Sequence, residues 1–224
     1  MEPSTPSPIS APTPISTPTP HPYHYWEDKS FIQHLIDWAL PIALLLLYFF
    51  FYNFGKFNSS EMIKTTGLTT IALLSITLMV GPIGRFIPSL NILKAHRKFW
   101  GITSFLLAIL HMSLVLIFDH LEFSDLPGVA FGLTALLILL LVVISSNHRV
   151  ITRLHPGVWK KLQTTSYIAL TLAVVHFYIM EQQSGVLVIK RSLGKVTFWF
   201  ATVVILLRLI VYFFPKKDEA QAAH

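Results

Sequence analysis

Two histidines, His111 and His176, are the side chains in this sequence best placed to do chemistry. Each lies inside an apolar segment, LLAILHMSLVL or TLAVVHFYIM, that carries no other ionisable group in its middle. A histidine in hydrocarbon is costly unless its ring nitrogens are occupied, so an intramembrane histidine indicates a functional site. Imidazole binds transition metals, and it is a ligand of haem iron. We therefore expect one haem to be held between these two residues.

The composition indicates that the segments around the histidines cross a membrane. The chain of 224 residues is 53% hydrophobic and 12% charged, whereas soluble domains carry about 25% charged residues. Six segments are long enough for a hydrocarbon core, which needs about 20 apolar residues. We predict an all-α membrane protein, a bundle of six transmembrane helices with both termini cytoplasmic. The predicted spans are residues 31–54, 66–86, 99–118, 127–146, 162–181 and 194–214.

The distribution of basic residues predicts the orientation of this bundle. Twelve lysines and arginines lie on the side shared by the termini and five on the other side, which makes the first side cytoplasmic in the plasma (inner) membrane. The net charge of +6 therefore indicates topology and contact with the lipid bilayer, not nucleic-acid binding. The sequence divides into a disordered Pro/Ser/Thr-rich cytoplasmic tail (1–30), one transmembrane domain (31–214) and a second cytoplasmic tail (215–224). The chain has no cysteine, which excludes thiolate ligation of a haem or an iron–sulfur cluster.

The two histidines are predicted to lie at similar depth. His111 follows Phe99 by twelve residues and His176 follows Leu162 by fourteen, which places them roughly 18 and 21 Å from the cytoplasmic edge at 1.5 Å per residue. Axial ligation of one macrocycle requires level rings. Zinc usually recruits three or four ligands, and no third histidine or carboxylate is expected at this depth.

A stripe of small residues precedes each histidine in steps of three, four and three, which keeps each set on one helical face. A flat porphyrin needs small side chains beside its ligands, so stripes in matching phase favour a cofactor slot. Alternatively, small residues let membrane helices pack closely. The stripes are Gly101, Ser104 and Ala108 below His111, and Ser166, Ala169 and Ala173 below His176.

Three further expectations concern the rest of the chain. The GPIGR sequence, with Gly81, Pro82 and Gly84, should break the second span near the membrane interface. His96 is expected in the basic rim on the cytoplasmic side. No nucleotide-binding fingerprint and no internal repeat is found, so we expect the electron donor of a redox protein of this kind to be a separate molecule.

Three runs of this sequence resemble the ferric reductase-like transmembrane domain. They are GLTTIALLSITLMVGPIGRF, LKAHRKFWGITSFLLAILH and HPGVWKKLQTTSYIALTLAVVHFY. In size and in the order of its motifs, the chain is similar to the bacterial haem-binding membrane subunit of the periplasmic methionine-sulfoxide reductase system. The resemblance covers about residues 30–214.

This resemblance implies a six-helix bundle that carries electrons through b-type haem, with His111 and His176 as the axial ligands. Family members with two haems have additional ligands at the positions of Arg97 and Gln163, so the resemblance implies a single haem here. Such subunits can bind flavin mononucleotide (FMN), and Arg97 is one of several basic residues that could hold its phosphate or a haem propionate. Equally, these basic residues could serve only as positive-inside anchors.

The leading hypothesis is a membrane subunit that transfers electrons from a cytoplasmic flavin, reductase or quinol to an acceptor on the outer side. The acceptor would be a periplasmic oxidoreductase or ferric iron. The alternative is a non-redox membrane scaffold or transporter in which both histidines are buried for packing or proton handling.

Overall fold

We describe a computed structural model of the chain, which covers residues 31–119, 126–183, 186, 187, 189 and 191–214. The predicted tails, 1–30 and 215–224, lie outside these residues. Helices dominate the described part, and one two-residue ladder pairs Gln182 with Leu187 and Gln183 with Val186. The elements are α1 (Phe31–Leu47), a π-helical turn (Tyr48–Tyr52), α2 (Ser59–Phe86), a 3-10 helix (Pro88–Ala95), α3 (Arg97–Phe118), α4 (Leu126–Ser145), α5 (His148–Ile151), α6 (Pro156–Thr164), α7 (Ser166–Met180), β1 (Gln182–Gln183), β2 (Val186–Leu187) and α8 (Ser192–Phe213).

Six helical segments in the described residues are long and apolar enough to cross a membrane, which confirms the predicted six-helix bundle. The second begins seven residues earlier than predicted, at Ser59, because Asn58 caps it by accepting a hydrogen bond from the backbone N–H of Glu61 at 2.8 Å. The fifth consists of α6 and α7 together. We call the end at which α1 begins and α8 ends the inner end, and the opposite one the outer end. That the inner end is cytoplasmic stays a prediction.

Helix α2 is the central helix of the bundle. Within its most apolar stretch 72% of the residues are buried, against 11–22% in the other five spans. Its many threonines and serines are tolerated there because their hydroxyls donate to carbonyls one turn earlier, which satisfies them within the helix. The residues with this bond are Thr66, Thr69, Thr70, Ser75 and Thr77.

The GPIGR sequence does not break α2 at the predicted position, since the helix continues through Pro82 to Phe86. Proline lacks the N–H that would bond to the carbonyl of Leu78, four residues earlier. The hydroxyl of Tyr167 on α7 donates to that carbonyl at 2.7 Å instead. Arg97 Nε donates to the neighbouring carbonyl of Thr77 at 3.1 Å. Side chains of other helices therefore replace the hydrogen bonding that would otherwise have been lost at this point.

Candidate functional site

His111 on α3 and His176 on α7 face each other across the bundle. Their ring centroids are 6.2 Å apart and their ring planes meet at 77°. Both side chains are partly buried. α3 packs chiefly along α2, and α7 along α4, so the two histidines come from two separate helix pairs. The structure therefore brings together the two residues that the sequence singles out.

Each histidine is oriented by a backbone carbonyl of the helix that it packs against. His111 Nδ1 lies 3.0 Å from the carbonyl oxygen of Ile63, and His176 Nδ1 lies 2.8 Å from that of Gly128. A carbonyl oxygen only accepts, so Nδ1 carries the proton and donates in both rings. The lone pair of each imidazole is consequently on Nε2, the nitrogen that is left to act as a metal ligand.

A glycine opposite each imidazole makes this approach possible. A Cβ atom on Gly67 would lie 3.0 Å from His111 Cε1 and 3.1 Å from its Nδ1. A Cβ atom on Gly132 would lie 3.0 Å from His176 Nδ1 and 3.2 Å from its Cε1. A Cβ atom at either position would force the facing ring to move by a few tenths of an ångström, so glycine is favoured at both positions for packing reasons.

The two histidine environments repeat each other along the chain. Each histidine follows its carbonyl partner by 48 residues, and each facing glycine comes one helical turn after that partner. The pair α2–α3 and the pair α4–α7 thus present their histidines by the same arrangement. Gly67, Leu68 and Thr69 recur as Gly132, Leu133 and Thr134 at this spacing, but most other matching positions differ in residue type, so no repeat is evident in the sequence.

A cavity of about 440 Å³ lies between the two helix pairs and is lined by both histidines. Its wall is mainly apolar, with Leu74, Leu136 and Leu139 among the lining residues. Polar residues at the outer helix ends line its mouth, including Lys64 and Glu181. Among the described residues no cluster of three or more histidine, cysteine or acidic side chains could hold a metal ion, so the histidines stand there as a pair.

The predicted small-residue stripes are divided between two roles. Ala108 and Ala173 line the cavity. The other four, Gly101, Ser104, Ser166 and Ala169, lie outside the cavity lining. Ala169 is completely buried in the main apolar cluster, and a Cβ atom on Gly101 would meet only Thr77 Cγ2 at 3.8 Å. Ser104 and Ser166 are buried and donate to carbonyls within their own helical segments.

Arg97 and Gln163 also lie outside the lining of the histidine cavity. Gln163 Nε2 is within hydrogen-bonding distance of the hydroxyls of Ser145 and Ser146, at 3.1 and 3.0 Å, and so ties α6 to the inner end of α4. The Nε–H of Arg97 is used by the Thr77 carbonyl. Neither residue is close enough to the cavity to form part of its wall.

His96 is not in an exposed basic rim, which corrects the sequence-based expectation. Its ring is 3% exposed and stacks on Trp100 at 5.4 Å between centroids. His96 Nδ1 lies 2.7 Å from the carboxylate of Asp37, which is completely buried. The pair joins α1 to the start of α3, and no local sequence signal connects two residues so far apart in the chain.

An ion pair closes the outer end of the bundle beside the cavity mouth. Arg191 donates to both carboxylate oxygens of Glu61, at 2.6 and 2.7 Å, and also to the carbonyl of Tyr52. The hydrogen bonds to the Glu61 carboxylate raise the pKa of the Arg191 guanidinium above its ordinary value. Since Tyr52 lines the cavity, the pair fixes the ends of α1, α2 and α8 around its mouth.

The fold and the site together define a class: a six-helix membrane protein with two histidines facing each other across an intramembrane cavity. No protein-family model matches this chain. The chain is similar to proteins named protein-methionine-sulfoxide reductase heme-binding subunit MsrQ. It is 27% identical over 152 residues to the one from Herminiimonas arsenicoxydans, covering 63% of this chain and 68% of that protein.

Two further relatives carry the same name. The protein from Ralstonia nicotianae is 24% identical over 157 residues, covering 66% of this chain and 69% of its own. The protein from Azospira oryzae is 28% identical over 164 residues, covering 66% and 70%. These relatives confirm the resemblance to the MsrQ type of membrane subunit that the sequence motifs indicated.

Proposed function

We propose that this chain is a haem-binding membrane subunit of an electron-transfer system and that it holds one b-type haem between His111 and His176. The observation that carries this proposal is that the two imidazoles face each other across one cavity, with ring centroids 6.2 Å apart. Both donate Nδ1–H to a carbonyl and keep the Nε2 lone pair, as histidines that bind metals usually do.

The distances fit a single iron between the rings. At nitrogen-to-metal distances of about 2.0–2.1 Å, as for zinc, two opposed imidazoles have centroids roughly 6 Å apart. The observed separation is 6.2 Å. The cavity of about 440 Å³ falls within the range of about 300–1,000 Å³ that is usual for ligand sites, and its mainly apolar wall suits a porphyrin.

His111 and His176 would hold the haem, which would supply a one-electron redox centre suited to electron transfer. The residues of the chain have other tasks. The carbonyls of Ile63 and Gly128 orient the imidazoles and increase their basicity. The apolar wall excludes water, which lowers the local dielectric constant around the site.

We propose that electrons move from a cytoplasmic donor to an acceptor on the outer side of the plasma membrane. The donor classes are a reductase, reduced flavin or quinol. The predicted cytoplasmic orientation of the inner end and the position of the cavity mouth at the outer end support this direction. The name of the relatives supports a methionine-sulfoxide reductase as the acceptor.

The test is a reduced-minus-oxidised spectrum of the protein purified from haem-replete cells. We expect a b-type signal with about one haem per chain. Changing His111 or His176 to Ala should abolish it. His155→Ala is the control, because this histidine is exposed and its Nδ1 only accepts the N–H of Gly157 at 3.2 Å.

A wild-type protein without a b-type signal would contradict the proposal and favour the non-redox scaffold or transporter. If both His111→Ala and His176→Ala keep their haem, the haem ligands must be other residues. Equal haem loss in His155→Ala would show a general folding effect instead of a ligand effect.

A further inference from the structure

Two arginines, Arg97 and Arg208, lie near the same tyrosine, Tyr167, toward the inner end of the bundle. The Arg208 guanidinium of α8 lies 5.2 Å from the centre of the Tyr167 ring. A Cβ atom built on Gly81 of α2 would lie 3.5 Å from Arg97 Nη1 and 3.6 Å from the Tyr167 hydroxyl. Arg97 and Tyr167 therefore meet beside Gly81 of α2, and Arg208 covers the Tyr167 ring; we call these three residues, from three helices, the arginine site.

The arginine site contains hydrogen-bond donors that the described residues do not use. Tyr167 and Arg97 Nε are used by the two α2 carbonyls near Pro82. The remaining N–H groups of Arg97 and all those of Arg208 have no hydrogen-bond acceptor within the described residues. Neither guanidinium forms a salt bridge with a carboxylate in that part of the chain. Two cations that lie close together on membrane-spanning helices repel each other, and an anion between them would remove this cost.

The arginine site lies near the inner boundary of the hydrocarbon core. Gly81 lies eight to nine residues from the middle of α2 toward the inner end. At 1.5 Å per residue this is about 13 Å from the middle of the helix. Half of a hydrocarbon core is about 15 Å, so the Arg97 guanidinium is at the boundary between acyl chains and headgroups. Arg208 starts deeper, and its long side chain can extend toward the same boundary.

We propose that Arg97 and Arg208 bind the phosphate group of an anionic phospholipid in the leaflet at the inner end. Guanidinium groups form charge-assisted, paired hydrogen bonds with phosphate oxygens. Basic pockets between membrane helices are known to bind anionic headgroups in this way. The phosphate of FMN has the same chemistry, but the boundary depth favours a lipid. The inference does not depend on haem, since the site lies a helical length of roughly 20 Å from the histidines.

Native mass spectrometry of the purified full-length holoprotein in detergent provides the test. The probes are phosphatidylglycerol, zwitterionic phosphatidylcholine, inorganic phosphate and FMN, each titrated separately. We expect wild-type protein to retain phosphatidylglycerol at least tenfold more tightly than phosphatidylcholine. Arg97→Gln and Arg208→Gln should each weaken that binding about tenfold, as expected for the loss of a charged hydrogen-bonding partner.

Arg153→Gln is the matched control, because it removes the same charge from an exposed residue at the same end. It should change phosphatidylglycerol binding less than twofold. If Arg97→Gln loses haem because it fails to fold, lipid binding by Arg208→Gln decides whether the proposal holds. The Arg208 guanidinium makes no hydrogen bond to α2 within the described residues, whereas Arg97 Nε donates to the Thr77 carbonyl. Equal lipid binding by all four proteins would overturn the proposal. Arginine-dependent binding of FMN or inorganic phosphate, without arginine-dependent binding of phosphatidylglycerol, would overturn the lipid assignment.

Discussion

Replacing Gly67 or Gly132 by alanine tests whether the histidines are positioned as the structure indicates. In Gly67→Ala the new Cβ atom would lie 3.0 Å from His111 Cε1. An ordinary contact needs at least 3.4 Å, so the ring must move by about 0.4 Å or more. The ring cannot move freely, because its Nδ1 is 3.0 Å from the Ile63 carbonyl and hydrogen bonds weaken beyond about 3.2 Å.

The size of the effect follows from these contacts. Overpacking of this kind costs about 1–3 kcal/mol. Disturbing a group that orients a metal ligand typically lowers metal affinity about 10–100-fold, which corresponds to about 1.4–2.8 kcal/mol. We therefore expect a 10–100-fold loss of haem affinity in Gly67→Ala. Gly132→Ala should lose at least as much, because its Cβ atom would approach three atoms of His176 within 3.3 Å.

The assay is the ratio of haem to protein after purification and haem titration, together with the electron paramagnetic resonance spectrum of the oxidised form. Gly101→Ala is the matched control, since it makes the same change on α3 and its nearest new contact is 3.8 Å away. Its haem affinity should be unchanged. Alanine also favours a helix over glycine by about 1 kcal/mol, so none of the three variants should weaken its own helix.

Two results would refute this reasoning. Wild-type haem affinity and an unchanged spectrum in both Gly67→Ala and Gly132→Ala would show that the rings are not held against these helices. A loss of haem in Gly101→Ala as large as in the other two would place Gly101 in the cofactor slot, as the stripe pattern first suggested.

Three further changes should alter stability, measured as thermal unfolding in detergent. Glu61→Gln should lower stability by about 1–3 kcal/mol, because the partly exposed ion pair at the outer end loses its charge-assisted hydrogen bonds; an unchanged unfolding temperature at low salt would contradict this. Asp37→Ala should cost about 3 kcal/mol or more by leaving the buried His96 without its partner, and adding His96→Phe should recover part of the loss; no recovery would contradict a paired role. Tyr167→Phe should lower the free energy of unfolding by about 1 kcal/mol in the wild type, and by almost nothing in Pro82→Ala, where a backbone N–H can replace the tyrosine hydroxyl. Equal effects of Tyr167→Phe in both backgrounds would contradict this explanation.

The six spans could be read from the sequence because the physical requirement behind them is local. A segment that crosses hydrocarbon must be apolar over about 20 residues and must satisfy its backbone hydrogen bonds internally, so each span is recognisable on its own. The same locality made the breaking of α2 at Pro82 a reasonable expectation. It was wrong because Tyr167, far along the chain, supplies the missing donor.

The small-residue stripes show where periodicity stops being informative. The three-four-three spacing identified one face of each helix, but not what that face contacts. Ala108 and Ala173 line the cavity, whereas Ala169 packs in the apolar cluster. Residue size alone cannot separate these cases, since both a porphyrin and a neighbouring helix require small side chains.

The sequence alone predicted the membrane-spanning architecture and singled out His111 and His176. An isolated ionisable group in an apolar segment can be recognised without knowing which residues surround it in space. Only the tertiary structure decided how the two rings are used. Their tautomers depend on the carbonyls of Ile63 and Gly128, and their positions depend on space left by glycines of adjacent helices. Such contacts join residues 44 or 48 positions apart, and the identity of a packing partner is a property of the folded bundle that no helical periodicity encodes.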